Sequence, residues 1–220
     1  MASRSESLNA IKLHLIIHNI ATKAVQYKLE KEIKALAALN ANSVSTFLAS
    51  KYDHLIDAYT NRRQMPCYVL DFIKTLNPEY PSKRASNQPF PEQLERFDLT
   101  ACYQIAKSLL SLQYPDIQCF EDLIIMRNEF YGHLNFLKTS DSLYEANLER
   151  LKKIVMKLSE SDARLKEEIV CKISEINAIK HVADFDVVDL EAYEEFFKRT
   201  RFHFFYSTMP FVEKRKNVLS

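Results

Sequence analysis

One glycine, Gly132, stands in 220 residues, where average usage of about 7% predicts roughly fifteen. Tight hairpins and strand-to-helix turns need residues that accept positive φ, and glycine does so without steric cost. A chain this poor in glycine is a bad candidate for a sheet sandwich. It also cannot build the glycine-rich loops that cradle phosphates in nucleotide-binding folds. Its apolar residues, 47% of the total, are rich in Leu, Ile and Ala and sit among many Lys and Glu. That mixture suits helices, so we predict an all-α, multi-helix bundle. Thirty basic and 29 acidic residues leave a formal net charge of +1. Bulk electrostatics therefore favours neither nucleic acid, nor a membrane surface, nor an acidic partner, and any such binding requires a local patch.

Cys67, Cys102, Cys119 and Cys171 are widely spaced and form no Cys-x-x-Cys pair. The spacing predicts reduced thiols acting as small hydrophobes in a cytoplasmic or nuclear protein. The first residues, Met-Ala-Ser-Arg-Ser-Glu-Ser, carry no apolar run of the signal-sequence kind. No stretch approaches the roughly eighteen uninterrupted apolar residues of a membrane span, and no membrane association is expected.

Helical spacing of Leu8, Ile11, Leu15, Ile16, Ile20 and Val25 predicts a long first helix to about Ala38, capped by Ser5 or Ser7. Val44, Phe47, Leu48, Tyr52, Leu55 and Ile56 predict a second over 43–59, and an apolar segment over 67–76 follows Pro66. Pro78, Pro81, Pro89 and Pro91 make 77–91 an exposed connection, because proline cannot continue a helix. Asp98 is placed to cap a helix to Leu112, and Tyr114-Pro115-Asp116 to turn the chain into another over 117–137. Two more are predicted over 141–158 and from Ser161 or Asp162 to Ile179. We read 1–180 as one helical domain and 181–220 as a C-terminal extension. In that extension an acidic stretch over 184–195, with a short helix, precedes aromatic and basic residues over 196–211.

The segment Arg127-Asn128-Glu129-Phe130-Tyr131-Gly132-His133 is the best candidate for chemistry. As a spacing, Arg-x5-His means little, since chance supplies about one such match in a chain of this composition. Asn128 directly after the arginine narrows it. So does the position of the only glycine beside His133, in a helical stretch where glycine costs about 1 kcal/mol relative to alanine. Close approach of another backbone or a ligand would explain that choice. Six helical steps turn about 600°, leaving Arg127 and His133 about 120° apart around the axis. They cannot meet as an i,i+4 pair, but both can line one groove against a second subunit.

Phe97-Asp98-Leu99-Thr100, a helix, a short loop and then Met126-Arg127-Asn128-Glu129-Phe130-Tyr131-Gly132-His133 resemble the HEPN domain of the DAZ-interacting-protein-3 ubiquitin-ligase type. The hallmark of that family is Arg-Asn, two variable residues, an aromatic residue, Gly and His, matched here through Tyr131, Gly132 and His133. The resemblance covers about 97–158 best and is absent beyond about His181. Members often carry an aromatic residue before the arginine, where this chain has Met126, and the loop around Pro115 is short for the family. The resemblance implies a homodimeric helical bundle with Arg127 and His133 as catalytic residues and Asn128, Tyr131 and Gly132 in support. It also implies metal-independent cleavage of single-stranded RNA, with no cofactor. The 2′-hydroxyl of RNA can attack its own phosphate. His133 suits proton transfer and Arg127 suits bidentate contact with phosphate oxygens. The alternative is a non-catalytic dimerisation or protein-interaction module in an innate-defence or ubiquitin-related signalling pathway.

Other residues weigh less. His14 and His18, spaced i,i+4, fit two ordinary helix-face histidines better than a metal pair, because no third ligand and no zinc-protease glutamate accompany them. Glu121 or Asp122 could pair with Arg127, though a solvated face accounts for them more simply. The aromatic and basic tail over 196–211 suits packing on the bundle better than RNA contact. No Gly-x-Ser-x-Gly motif exists to support a serine hydrolase.

Overall fold

The computed structural model describes residues 4–61, 67–76, 94, 97–110, 116–132, 139–181 and 184–185. Among these there is no strand, and the fold is all-α as composition predicts. Helix α1 (Arg4–Leu15) runs through a π-helical segment (Ile16–Ala21) into α2 (Thr22–Leu39). Then come α3 (Val44–Ala49), α4 (Tyr52–Asn61), α5 (Cys67–Thr75), α6 (Leu99–Leu109), α7 (Ile117–Gly132), α8 (Asp141–Leu158) and α9 (Ala163–Ala178).

The first helix, π segment included, is the axis of the molecule. It starts at Arg4, so Ser5 and Ser7 lie inside its first turn and do not cap it. From Asn9 to Ile17 every residue is buried, and Ile20, Ala21, Ala24, Val25, Leu29 and Ile33 continue the buried surface. A helix apolar on one stripe alone sits at a surface, whereas one buried all round is surrounded. Here α8 and α9 pack on α1 and the π segment, α7 packs on the π segment, and α3, α6 and α8 pack on α2. One core joins these elements, from Leu13 through Phe47, Leu55, Ile105 and Phe120 to Leu151 and Ile173. A smaller cluster brings Phe185 back onto Ile11 and Leu15.

Local capping sets most boundaries. Ser43, Asp98, Ser140 and Asp162 each accept a hydrogen bond from the backbone N–H three residues on, satisfying a donor that the first turn leaves over. Two expected boundaries differ. The helix predicted over 43–59 is two helices, broken where the Ser50 hydroxyl donates to the Phe47 carbonyl at 2.7 Å and Lys51 N–H tightens onto Leu48. Such local bonds compete with the helix ladder. Helix α6 stops at Leu109, since Leu110 turns extended (φ −94°, ψ 142°) and thereby keeps its side chain buried. The continuation to Leu137, the proline-rich connection 77–91 and the tail 196–211 lie outside the described residues.

Sequence periodicity offers no warning of the π segment, Ile-Ile-His-Asn-Ile-Ala, which contains no proline or glycine. Widened turns of this kind are rare, and a change of register disturbs the backbone ladder. The Thr22 hydroxyl offsets part of this by donating to the Ile17 carbonyl at 3.3 Å. Burial of Ile16, Ile17 and Ile20 against the neighbouring helices supplies the rest.

Candidate functional site

Helix α7 carries Arg127 half-buried and Asn128 exposed, with Met126 in the core between α7 and the first helix. Its position is set from both sides. Glu121 accepts a hydrogen bond from the Tyr103 hydroxyl of α6 at 2.7 Å, and Glu129 pairs with Arg150 of α8 at 3.3 Å. Asp122 accepts from Gln118 of its own helix. At the start of α7, Asp116 accepts from Lys28 of α2 at 2.8 Å. Tyr131 and Gly132 are the last described residues of α7, and His133 lies outside the described residues.

Helix α7 packs on the π segment, which carries His18. The His18 ring stacks on that of His14, with centroids 4.7 Å apart and planes inclined by 35°. His14 is 3% exposed. Burial and the neighbouring His18 push its pKa down to about 3, so it is a neutral imidazole. His18 is half-buried, and its pKa is also lowered, first by burial and then by the charge of Arg127, against the pull of Asp98. The charges of Arg127 on α7 and Asp98 at the head of α6 thus act on His18 in opposite directions. Asp98 is held there by its own cap, accepting from Ala101 N–H at 2.8 Å.

His18 and Asp98 open onto a cleft of about 630 Å³ that runs along one face of the π segment and α2. Asn19, Gln26 and Tyr27 line one side, and Phe97 with Asp98 the other. Gln26 spans the floor, donating to the Phe97 carbonyl at 2.7 Å, which anchors the segment leading into α6. Lys23 at its rim pairs with Glu168 of α9 at 2.6 Å. The dimensions are those of a small-molecule or single-nucleotide site. A smaller cavity of about 180 Å³ lies between the first helix, α7 and α8, lined by Leu13, Ile17, Met126, Phe130 and Leu143.

Among the described residues no group of three His, Cys, Asp or Glu side chains could hold a metal ion. The rings of the i,i+4 pair His14 and His18 lie against each other. No described helix is long and apolar enough to cross a membrane. Cys102 and Cys119 are buried and Cys171 is exposed, all as free thiols. Burial raises the pKa of both buried thiols, so neither is a ready nucleophile.

Sequence reasoning named Arg127 as a candidate but did not connect it with His18 or Asp98. His18 drew attention only as half of a metal pair, and Asp98 only as a helix cap. The usable signal was two histidines on a stretch of helix whose remaining residues are almost all apolar. No protein-family model, curated protein or solved structure matches this chain.

Proposed function

We propose that this chain is an RNA-interacting domain of the HEPN type, cytoplasmic and homodimeric, which cleaves single-stranded RNA without a metal through Arg127 and His133. The observation that carries the reading is the setting of Arg127. Arg127 is half-buried on a helix clamped at both faces, with its charge acting on a histidine and Asn128 exposed beside it. A fixed, partly desolvated guanidinium stabilises the charge that develops on a phosphorane far better than a solvated one. The Arg-Asn-x4-His motif and the all-α architecture are what favour this family over other helical bundles. In the reaction the 2′-hydroxyl attacks the adjacent phosphorus, Arg127 binds the phosphate oxygens, and His133 moves protons.

The test is direct. Purified protein is incubated with end-labelled single-stranded RNA in EDTA, at concentrations bracketing dimer formation measured by analytical ultracentrifugation. Wild type is expected to cleave, with Arg127→Ala and His133→Ala slower by about 100-fold or more. A folded dimer that leaves RNA intact would sink the enzymatic reading in favour of a protein-interaction module in a signalling pathway.

A further inference from the structure

We propose that the cavity between the first helix, α7 and α8 is a binding site for a small aromatic molecule that carries one hydrogen-bond donor. Neither Arg127 nor His133 takes part, so the site stands or falls apart from the RNA-cleaving reading.

The deep wall comes from elements that meet in the core. Leu13 and Ile17 of the first helix and Met126 of α7 line it, each 3% exposed or less. Phe130, partly buried on α7, adds a ring. Native interiors pack as densely as organic crystals and leave few voids larger than a water molecule. A volume of about 180 Å³ beside such side chains therefore stands out. Its size selects the ligand. An apolar cavity of about 150 Å³ takes up benzene, whereas sites for larger ligands start near about 300 Å³. This one has room for a ring and a small substituent, and a nucleotide is too large for it.

The lining also sets the chemistry. The Phe130 ring and the Met126 thioether both favour an aromatic body over an aliphatic one. Exposed members of the lining mark the mouth: Leu143 of α8 is 50% exposed and Glu129 of α7 is also exposed. Most polar groups here are engaged. Glu129 accepts from Arg150 at 3.3 Å, and the backbone of buried Thr139 bonds to the Glu6 carbonyl and the Asn9 amide. Asn147 differs. It lies one turn from Leu143, partly buried, and its side-chain amide makes no hydrogen bond with a described residue. Its carbonyl oxygen can accept from an N–H or O–H on a ring whose apolar body reaches Leu13 and Ile17.

The probes are indole and indene, which share a shape but differ in the N–H. Each is titrated into the full chain carrying labelled Met, Ile and Leu methyl groups, followed by NMR. The methyl signals of Leu13, Ile17, Met126 and Leu143 are expected to shift together along one saturable curve, while Leu55 of α4 stays in place. Indole should bind more tightly than indene. Asn147→Ala should weaken indole by about tenfold, as the loss of one hydrogen bond does, and leave indene unchanged. Leu143→Trp, at a half-exposed position, should close the mouth and abolish the response to both. The wild-type titrations hold even if a variant misfolds. Cavity methyls that ignore both probes up to their solubility limits overturn the proposal, as does equal binding of the two by wild type. Shifts of the same methyls on dilution of the protein alone would show a second copy filling the cavity, and overturn it too.

Discussion

His14 shows how one buried side chain ties stability to pH. Its pKa is about 3 in the folded chain, against about 6.5 when unfolded. Above pH 6.5 both states hold it neutral and it costs nothing. As pH falls below 6.5 the unfolded chain takes up a proton that the folded chain refuses, so unfolding becomes easier by about 1.4 kcal/mol per pH unit. The loss ends only near the folded pKa. His18, shifted in the same direction, adds to the slope. Urea denaturation at pH 7.0, 6.0 and 5.0, above the range where most carboxylates titrate, should show this decline. His14→Leu should flatten it. Equal slopes in both proteins would mean that His14 is protonated within the fold.

Asp98 permits a separation of cap from charge at the same scale. Asparagine caps a helix about as well as aspartate, whereas alanine loses about 1 kcal/mol. Asp98→Asn should therefore leave stability nearly unchanged while lowering the His18 pKa, because the carboxylate that favours the imidazolium is gone. Asp98→Ala should do both. NMR titration of His18 beside thermal unfolding reads the two effects independently.

At the scale of elements, most helices were legible because their signals are local. Ser43, Asp98 and Asp162 announce N-termini, and the apolar spacing of α2, α8 and α9 matches the faces they bury. What was not legible has a common cause. The break at Ser50, the extended Leu110 and the π segment are backbone departures chosen by packing. Side-chain periodicity averages over such departures, since a single widened turn shifts the register without changing which residues are apolar. The candidate site suffers most from this. Arg127 stands out in sequence beside Asn128, but His18, on which its charge and that of Asp98 act, lies 109 residues away, across helix packing that no spacing reports.

Over the whole molecule, one long axial helix and its surrounding layer make stability depend on contacts distant in sequence. Phe185 illustrates this, packing with Ile11 and Leu15 although more than 160 residues separate them. Phe185→Ala should cost about 3 kcal/mol, the low end for a buried phenylalanine because the cluster is small. Urea midpoints check this, and a change below about 0.5 kcal/mol would place Phe185 outside the cooperative unit.

The amino-acid sequence alone determined the class of fold, because glycine scarcity, helical propensity and capping residues act over a few residues. It also offered Arg127-Asn128 as a candidate site. Only the tertiary structure decided that the first helix would be buried all round, that a π turn would interrupt it, and that His18 and Asp98 would line one cleft. Those outcomes arise from packing many helices on one axis, where each contact depends on the placement of all the others.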